Sequence, residues 1–218
     1  MRKTQFATGE YYHIYNRGVD KRKIFTDRRD YTRFLAYLYF MNDAERTRLT
    51  DDFKLNLEAK PRERSWKPLV AIGAYCLMPN HFHLYLTPVA KDGISKFMQR
   101  VQTAYTMYFN KRHERSGALF QGTFKAQHIA GNNYAKYLFS YIHLNPAKLK
   151  DKRWKEKGVR ELREFTEYLE SYPYSSLREY VALNHQITAP DSFPKYLSNS
   201  RELGSHITDW FLEAKPRD

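Results

Sequence analysis

The stretch "PLVAIGAYCLMPNHFHLYLTP", residues 68–88, contains two runs of strand-forming residues separated by Pro79-Asn80. Proline and asparagine together favour a tight turn, so the pattern predicts a β-hairpin or two neighbouring antiparallel strands. Side chains alternate between the two faces of a strand, which puts His81 and His83 on the same face. The opposite face is apolar and should anchor the strand in the core, through Phe82, Leu84 and Leu86.

Upstream of the hairpin, the sequence predicts a strand and then a helix. Residues 11–15 alternate as in a strand, and Asn16-Arg17-Gly18 is a typical exit. Helical spacing follows, and Asp30 is the expected cap of that helix. The apolar positions of the helix are Phe34, Leu35, Leu38 and Met41. The polar stretch 46–67 is expected to be a loop.

Downstream, "GTFKAQHIAG" predicts a fourth strand between two helices. The second helix should begin at a cap on Asn132 or Asn133 and end before Pro146. The first helix has one apolar face, formed by Ile94, Phe97, Val101, Tyr105 and Tyr108. The element order predicts the α+β class: a ferredoxin-like antiparallel sheet with helices packed on it, plus an extra tyrosine-bearing helix.

The charge balance favours a polyanionic partner. The 218 residues include 37 Lys and Arg against 24 Asp and Glu, a net charge of +13. Aromatic residues make up 16% of the chain, and aromatic faces beside cations suit unstacked bases, although tyrosines also fill cores. The single cysteine, Cys76, excludes an internal disulfide and suits a reducing cytoplasm. A mean hydropathy of -0.76 argues against a membrane protein.

Two histidines on one face of a strand can chelate a single metal ion. Adjacent same-face positions are about 6.5–7 Å apart along a strand. Such a site needs a third protein ligand from another element and open positions for chemistry. Taken alone, His81 and His83 form a weak motif that is more often two partly exposed histidines on a half-buried strand than a metal site.

The last predicted helix supplies candidates for the missing groups. Tyr141 and Asn145 are four residues apart and share a helical face, so Asn145 could reach a metal beside Tyr141. The residues Tyr134, Tyr137, Leu138 and Tyr141 also form a helical stripe, and such stripes are usually part of a buried core. Tyr137 lies on nearly the same face, and spacing alone does not choose between the two tyrosines.

Four blocks occur in a recognisable order, "YHIYNRG", "YCLMPNHFHLYLTP", "SGALFQGTFKA" and "YIHLNPAK". The set resembles the REP-associated tyrosine transposases, a branch of the single-tyrosine HUH transposases of the IS200-like group. HUH denotes His, a bulky hydrophobic residue and His, and His81-Phe82-His83 fits it as written. The resemblance extends from about residue 11 to residue 180 and includes "YPYSS", whereas residues 46–64 and the tail match less well.

The resemblance implies a single-stranded DNA endonuclease and strand transferase with a 5′-phosphotyrosine intermediate. By motif position, Tyr141 is the nucleophile. A divalent metal is implied on His81, His83 and Asn145, where related transposases carry a glutamine at the last position. Ligand chemistry favours Mg²⁺ for the phosphate or Mn²⁺ for oxygen and imidazole together, and Zn²⁺ also fits the donor types. Residues 1–150 would form the catalytic domain. Residues 151–218 would form a basic connector and a C-terminal appendage packed on the same domain.

The implied partner is single-stranded DNA with a hairpin from a palindromic repeat, in the bacterial cytoplasm at the nucleoid. Some relatives are homodimers in which the tyrosine helix serves the partner's site. Basic side chains near the predicted strands and helices are candidate phosphate contacts, namely Arg17, Arg22, Arg100, Lys111, Arg112, Arg115 and Lys125. Two alternatives remain: a non-catalytic protein that binds hairpin DNA or RNA, and a hydrolase that uses metal-bound water.

Overall fold

The computed structural model describes residues 5–45, 67–159 and 161–195, and it confirms the ferredoxin-like α+β fold. Four strands form one sheet in the order β2-β3-β1-β4, with every neighbouring pair antiparallel. The strands are β1 (Tyr11–Arg17), β2 (Val70–Met78), β3 (His81–Pro88) and β4 (Lys125–Ile129). The predicted loop at 46–67 lies outside the described residues except at Lys67.

The predicted hairpin is present, with Met78 paired to His81 across a two-residue turn. The pairing of β2 with β3 shifts between Ile72 and Ala74, which identifies a β-bulge at Gly73. The ring of Phe193 packs on this glycine so closely that an added Cβ would lie 2.7 Å from it. Because Gly73 has no side chain, the ring of Phe193, 120 residues later in the chain, can pack directly on the middle of β2.

Two helices, α1 (Arg28–Phe40) and α2 (Gly93–Arg112), cover one face of the sheet. The cap of α1 is Asp27, whose carboxylate accepts from the backbone of Arg29 and Asp30, so the predicted cap at Asp30 is wrong. Asp30 is instead fully buried, where it accepts hydrogen bonds from Thr26 and Arg112. A buried carboxylate is costly unless it is hydrogen-bonded or paired with a charge, which explains why the Asp30 side chain binds these partners instead of capping the helix.

The other face of the sheet is covered by the later helices, starting with α3 (Asn132–Leu144). The N-cap of α3 is Gly131, so the predicted cap on Asn132 or Asn133 is wrong by one or two residues. Pro146 follows the helix end, as predicted. Four shorter helices come next, α4 (Ala147–Lys150), α5 (Trp154–Lys157), α6 (Leu162–Ser171) and α7 (Leu177–Val181).

The chain after residue 172 covers the outer edge of β2. The hydroxyl of Tyr172 donates to the carbonyl of Leu77 at 2.8 Å, and that of Tyr180 donates to Gly73 at 2.6 Å. The buried carboxylate of Glu179 accepts from the Tyr75 hydroxyl at 2.8 Å. The two tyrosine contacts satisfy backbone carbonyls that an open edge strand would expose. The described part of the chain contains no helix long and apolar enough to cross a bilayer.

Candidate active site

The pairing of β1 with β3 gathers three histidines on the sheet face that α3 covers. Arg17 is opposite His81 and Tyr15 is opposite His83 in this pairing. His13 lies two residues before Tyr15, and its Nε2 is 2.8 Å from Nδ1 of His83. The rings of His81 and His83 lie 5.0 Å apart between centroids. The same-face placement predicted for the histidine pair therefore extends to a neighbour on β1.

Helix α3 places Tyr141 against this histidine group. The Tyr141 ring centroid lies 5.4 Å from that of His83 and 6.3 Å from that of His13, both in edge-to-face arrangements. The helix is held in position because Leu138 and Ile142 are buried against the sheet. Sequence spacing could not show that this helix packs over the histidine face, and the packing brings the candidate nucleophile and the histidines together.

Asn145, directly after α3, is 98% buried beside the same group. Its Nδ2 donates to the backbone carbonyl of Tyr141 at 2.8 Å, which fixes the amide. Its Oδ1 is buried with no hydrogen-bond partner among the described residues. Buried amide oxygens nearly always have a partner, so an orphaned one is an available acceptor for a ligand.

The histidines of the site are held neutral. Burial lowers the pKa of His13 and of His81 to about 4, and it lowers that of His83 well below its usual range. The charges of Arg17 and Lys148 lower the pKa of His81 and His83 further, while the Asn145 side chain opposes the effect on His81. Neutral imidazoles keep a lone pair on one nitrogen, which is the form that binds metals.

The hydrogen bonds of His81 and His83 both engage Nδ1, which leaves Nε2 of each ring available for a ligand. Nδ1 of His81 lies 2.6 Å from Oδ1 of Asn80, an oxygen that only accepts, so Nδ1 carries the proton. Nδ1 of His83 is engaged by His13. Nε2 of His81 and Nε2 of His83 thus remain for a ligand.

The donor set fits a divalent metal in composition. Among the described residues, no three side chains of His, Cys, Asp or Glu form a group that could hold a metal ion. A third ligand next to His81 and His83 would therefore have to be of another type. The orphaned amide oxygen of Asn145 is such a donor, and nitrogen with oxygen ligands suits Mn²⁺ or Mg²⁺.

The phenol of Tyr141 is not activated by its surroundings alone. Burial and the nearby Tyr137 raise its pKa above the ordinary value, while Asn145 works in the opposite direction. A phenol has a pKa of about 10 before any such shift, so at neutral pH Tyr141 is protonated. A group that neutralises the attacked phosphate is therefore required if Tyr141 acts as a nucleophile.

Lys148 adds a cation that the candidate set from sequence did not include. Its Nζ lies 6.0 Å from the centre of the Tyr141 ring. A small surface pocket brings it together with Tyr141, Asn145 and Lys155. The signal in the sequence was its position one helical turn after Asn145.

His13 is the second residue that sequence reasoning missed. It was part of a recognised block, but nothing in its spacing linked it to His83. The link follows from the sheet order, because β1 is the neighbour of β3 and residues opposite each other share a face. A ferredoxin-like prediction combined with face alternation would have placed His13 beside the histidine pair.

Two of the seven predicted phosphate contacts lie on the side of the site. Arg17 is paired with His81 across the strands, and Lys125 is paired with Tyr15, so both belong to the histidine face. Arg22 is on a turn, 3.9 Å from the carboxylate of Asp20. Arg17 and Lys125 are the predicted contacts that a strand at the site could reach directly.

The other four lie in or directly after α2, on the opposite layer. The guanidinium of Arg100 donates to the carbonyl of Asp43, and that of Arg115 donates to the carbonyl of Ala118. Lys111 is exposed. Arg112 is in ion pairs with two carboxylates, Asp27 and Asp30, each at 2.5 Å, which gives it a structural role.

Comparison with known proteins identifies the family of this chain and relatives of similar fold. The family model described as "Transposase IS200 like" matches residues 7–145, a range that contains His81, His83, Tyr141 and Asn145. A solved structure of a REP-associated tyrosine transposase bound to a REP hairpin is 14% identical, with a TM-score of 0.53. The alignment covers 84% of this chain and 85% of that chain and supports the same fold. No curated protein matches the sequence.

Proposed function

Because this chain belongs to the IS200-like transposase family, we propose that it cleaves and rejoins single-stranded DNA at hairpin-containing repeats. The observation that carries the proposal is the position of Tyr141, whose ring contacts His83 while Asn145 presents an unpartnered oxygen beside it. A nucleophile, two neutral imidazoles and an amide oxygen in one place match the needs of phosphoryl transfer.

In the proposed reaction, the Tyr141 oxygen attacks a backbone phosphorus. A tyrosine–phosphate bond forms, the bond to the 3′ oxygen breaks, the phenol proton is released and a 3′-hydroxyl leaves. A second 3′-hydroxyl then attacks the 5′-phosphotyrosine and restores the phenol. One phosphodiester replaces another in each step, so the exchange requires no nucleotide cofactor.

A divalent ion would be held by Nε2 of His81, Nε2 of His83 and Oδ1 of Asn145. When bound, Mg²⁺ or Mn²⁺ would polarise the scissile phosphate and spread its negative charge. The fit rests on the neutral state of both imidazoles and on the orphaned oxygen. Mn²⁺ accepts both imidazole and oxygen donors, Mg²⁺ would bind chiefly through the phosphate and amide oxygens, and Zn²⁺ is the competing ion for this donor set.

His13 would act through His83. A ligating histidine usually donates its other ring N–H to an acceptor, which fixes the orientation of the ring. With Nε2 of His83 directed to the ion, its Nδ1–H donates to Nε2 of His13 across the observed 2.8 Å. His13 is therefore a positioning residue in this proposal.

Arg17 and Lys148 would attract and neutralise the DNA strand at the site. Both charges act on the motif histidines, which supports a role for them beside the attacked phosphate. Preorganised cations stabilise charge that develops in the transition state at no reorganisation cost. Lys125, on the same face, would contact a neighbouring phosphate.

The DNA partner is proposed to be a hairpin with adjoining single strand. The relative of similar fold was solved with a REP hairpin, which makes that class of DNA the first substrate to test. The contact between Tyr141 and His83 is made within one chain, which supports attack in cis. A homodimer that exchanged tyrosine helices would need this contact to be broken.

Covalent trapping tests the proposal. The protein is incubated with a labelled hairpin oligonucleotide and Mg²⁺ or Mn²⁺ and then resolved under denaturing conditions. A labelled protein band is expected for the wild type, none for Tyr141→Phe, and a band again for Tyr137→Phe. Binding without any band would favour the non-catalytic hairpin-binding protein, and free 5′-phosphate product without a band would favour hydrolysis by water.

A further inference from the structure

Helix α3 displays a row of three tyrosines that ends at the candidate nucleophile. The rings of Tyr134 and Tyr137 lie 6.0 Å apart between centroids with planes at 15°. The rings of Tyr137 and Tyr141 lie 6.1 Å apart with planes at 18°. We name these three residues the tyrosine row. The row runs along the helix and stops at the ring that contacts His83.

The middle of the tyrosine row faces outward, while Tyr134 and Tyr141 are partly buried against the core of this layer. Tyr137 is 43% exposed, although it is one of the largest side chains on the helix. The core side of α3 is formed by other residues, including Leu138 and Ile142. The sequence stripe of Tyr134, Tyr137, Leu138 and Tyr141 was compatible with a buried core. In the structure Leu138 is buried, whereas Tyr137 is exposed. The core packing of α3 thus leaves the Tyr137 ring partly open to solvent.

The geometry of the row suits bases that have left a duplex stack. Aromatic side chains bind single strands by stacking on base faces, without the need for a particular sequence. Centroid separations of 6.0 and 6.1 Å are wider than the repeat of about 3.4 Å along one strand of duplex DNA. A strand that lies along the row would therefore have its bases spread apart.

The electrostatic surroundings of the row favour a polyanion. The sequence from Asn132 to Lys150 contains no Asp or Glu and three lysines, Lys136, Lys148 and Lys150. Lys150 is paired with Glu164. Lys148 lies 6.0 Å from the Tyr141 ring, at the end of the row. A phosphate backbone could pass beside these cations while its bases contact the rings.

We propose that the tyrosine row is a stacking platform for the unpaired nucleotides that adjoin the phosphate attacked by Tyr141. The inference rests on the proposed function for the identity of that phosphate. In this proposal the tyrosine row binds the single-stranded flank, and other parts of the protein bind the paired hairpin stem. Stacking would hold the strand in place while the scissile phosphate reaches the histidines.

Binding without cleavage tests this surface separately from the chemistry. In buffer with EDTA, fluorescence anisotropy follows a labelled oligothymidine of about twelve nucleotides, a length that covers one binding site. Tyr137→Leu removes the ring at an exposed position, and Tyr137→Phe retains it. Tyr108→Leu is the matched control, because Tyr108 is a half-buried tyrosine on α2, in the opposite layer.

We expect Tyr137→Leu to weaken oligothymidine binding about ten-fold, with Tyr137→Phe and Tyr108→Leu close to wild type. A hairpin without single-stranded flanks should bind all four proteins equally. Equal oligothymidine binding by Tyr137→Leu and wild type, or an equal loss on the flankless hairpin, would overturn the proposal.

A second measurement needs no variant that removes a ring. The adenine analogue 2-aminopurine loses fluorescence when it stacks, so placing it at either nucleotide beside the cleavage position reports contact with the row. Quenching on binding supports the platform, and unchanged fluorescence at both positions contradicts it. If covalent trapping fails but Tyr137→Leu weakens binding, the platform stands and the proposed nuclease activity falls. If instead Tyr137→Leu forms the covalent band as strongly and as fast as wild type and binds oligothymidine equally well, the nuclease activity stands and the stacking platform falls.

Discussion

The imidazoles of His13 and His83, seventy positions apart in the chain, share a buried hydrogen bond of 2.8 Å. The bond joins β1 to β3 at the point where α3 brings Tyr141 over the sheet. It occupies Nδ1 of His83 and leaves Nε2 for a ligand. A residue of the His81-Phe82-His83 stretch is thus hydrogen-bonded to a strand outside that stretch.

Substitution of His13 should weaken metal binding without loss of a ligand. His13→Phe removes the acceptor for His83, and we expect Mn²⁺ affinity to fall by about 10- to 100-fold, as is typical when an outer-shell partner is lost. His13→Gln can still accept from Nδ1 of His83 and should recover much of the affinity. Isothermal titration with Mn²⁺ measures both. His128→Phe, at an exposed histidine on β4, is the control.

Equal Mn²⁺ affinities for His13→Phe and His13→Gln would show that the hydrogen bond does not orient His83. Equal affinities for His13→Phe and wild type would remove His13 from the site.

Substitution of Asn145 separates its two polar atoms. Asn145→Leu removes the orphaned Oδ1 and should abolish measurable Mn²⁺ binding or lower it by at least about ten-fold. Asn145→Asp retains an oxygen, adds a negative charge and should bind Mn²⁺ more tightly than wild type. If Asn145→Leu binds Mn²⁺ with wild-type affinity, the prediction is wrong, because the buried oxygen is then not a ligand.

Arg112 should matter for stability because of its ion pairs. It bridges Asp27 and the fully buried Asp30, and Arg112→Leu would leave the Asp30 carboxylate without its cation. Loss of one partner of a buried pair costs about 3 kcal/mol, which we expect in the free energy of unfolding from urea titration. Lys111→Gln, at the exposed neighbour, should cost less than about 0.5 kcal/mol. A similar cost for both variants would refute the structural role.

His143 should contribute to acid sensitivity. Burial lowers the pKa of this fully buried imidazole from 6.5 to about 3, and its Nε2 lies 2.7 Å from Oγ of Ser176. The unfolded chain binds the proton more readily, so this contribution to stability is complete above about pH 6.5 and decreases as the pH falls toward 3. The slope amounts to about 1.4 kcal/mol per pH unit within that window.

His143→Gln can retain a polar contact with Ser176 but does not titrate. Its free energy of unfolding should therefore fall less steeply than that of wild type between about pH 6 and pH 4, as measured by urea titration at several pH values. Parallel pH profiles for the two proteins would show that His143 is not held neutral by the fold.

The sheet could be predicted from the sequence because its signals are local. The turn at Pro79-Asn80 and the alternation through His83 determine the hairpin and its faces, and the element order limits the topology. The helix caps were less predictable. Asp27 and Asp30 are both suitable caps by residue type, and only tertiary packing shows that Asp30 is buried against Arg112.

The site could be predicted only as far as its motifs extend. Sequence spacing linked Tyr141 to Asn145, but it could not show contact with His83, which depends on helix packing over the sheet. The role of His13 depends on strand pairing, and that of Arg112 depends on Asp27, 85 residues away. Charge alone cannot tell which layer of the fold a basic residue belongs to.

Mass spectrometry of the covalent product tests the central claim most directly. The wild-type protein is incubated with a hairpin oligonucleotide in Mn²⁺ or in EDTA, digested with protease and nuclease, and searched for a peptide that carries a nucleotide. We predict a 5′-phosphotyrosine on Tyr141 in Mn²⁺ and none in EDTA. A nucleotide on Tyr137 or another residue, or a hairpin cleaved with no modified peptide, would contradict the account.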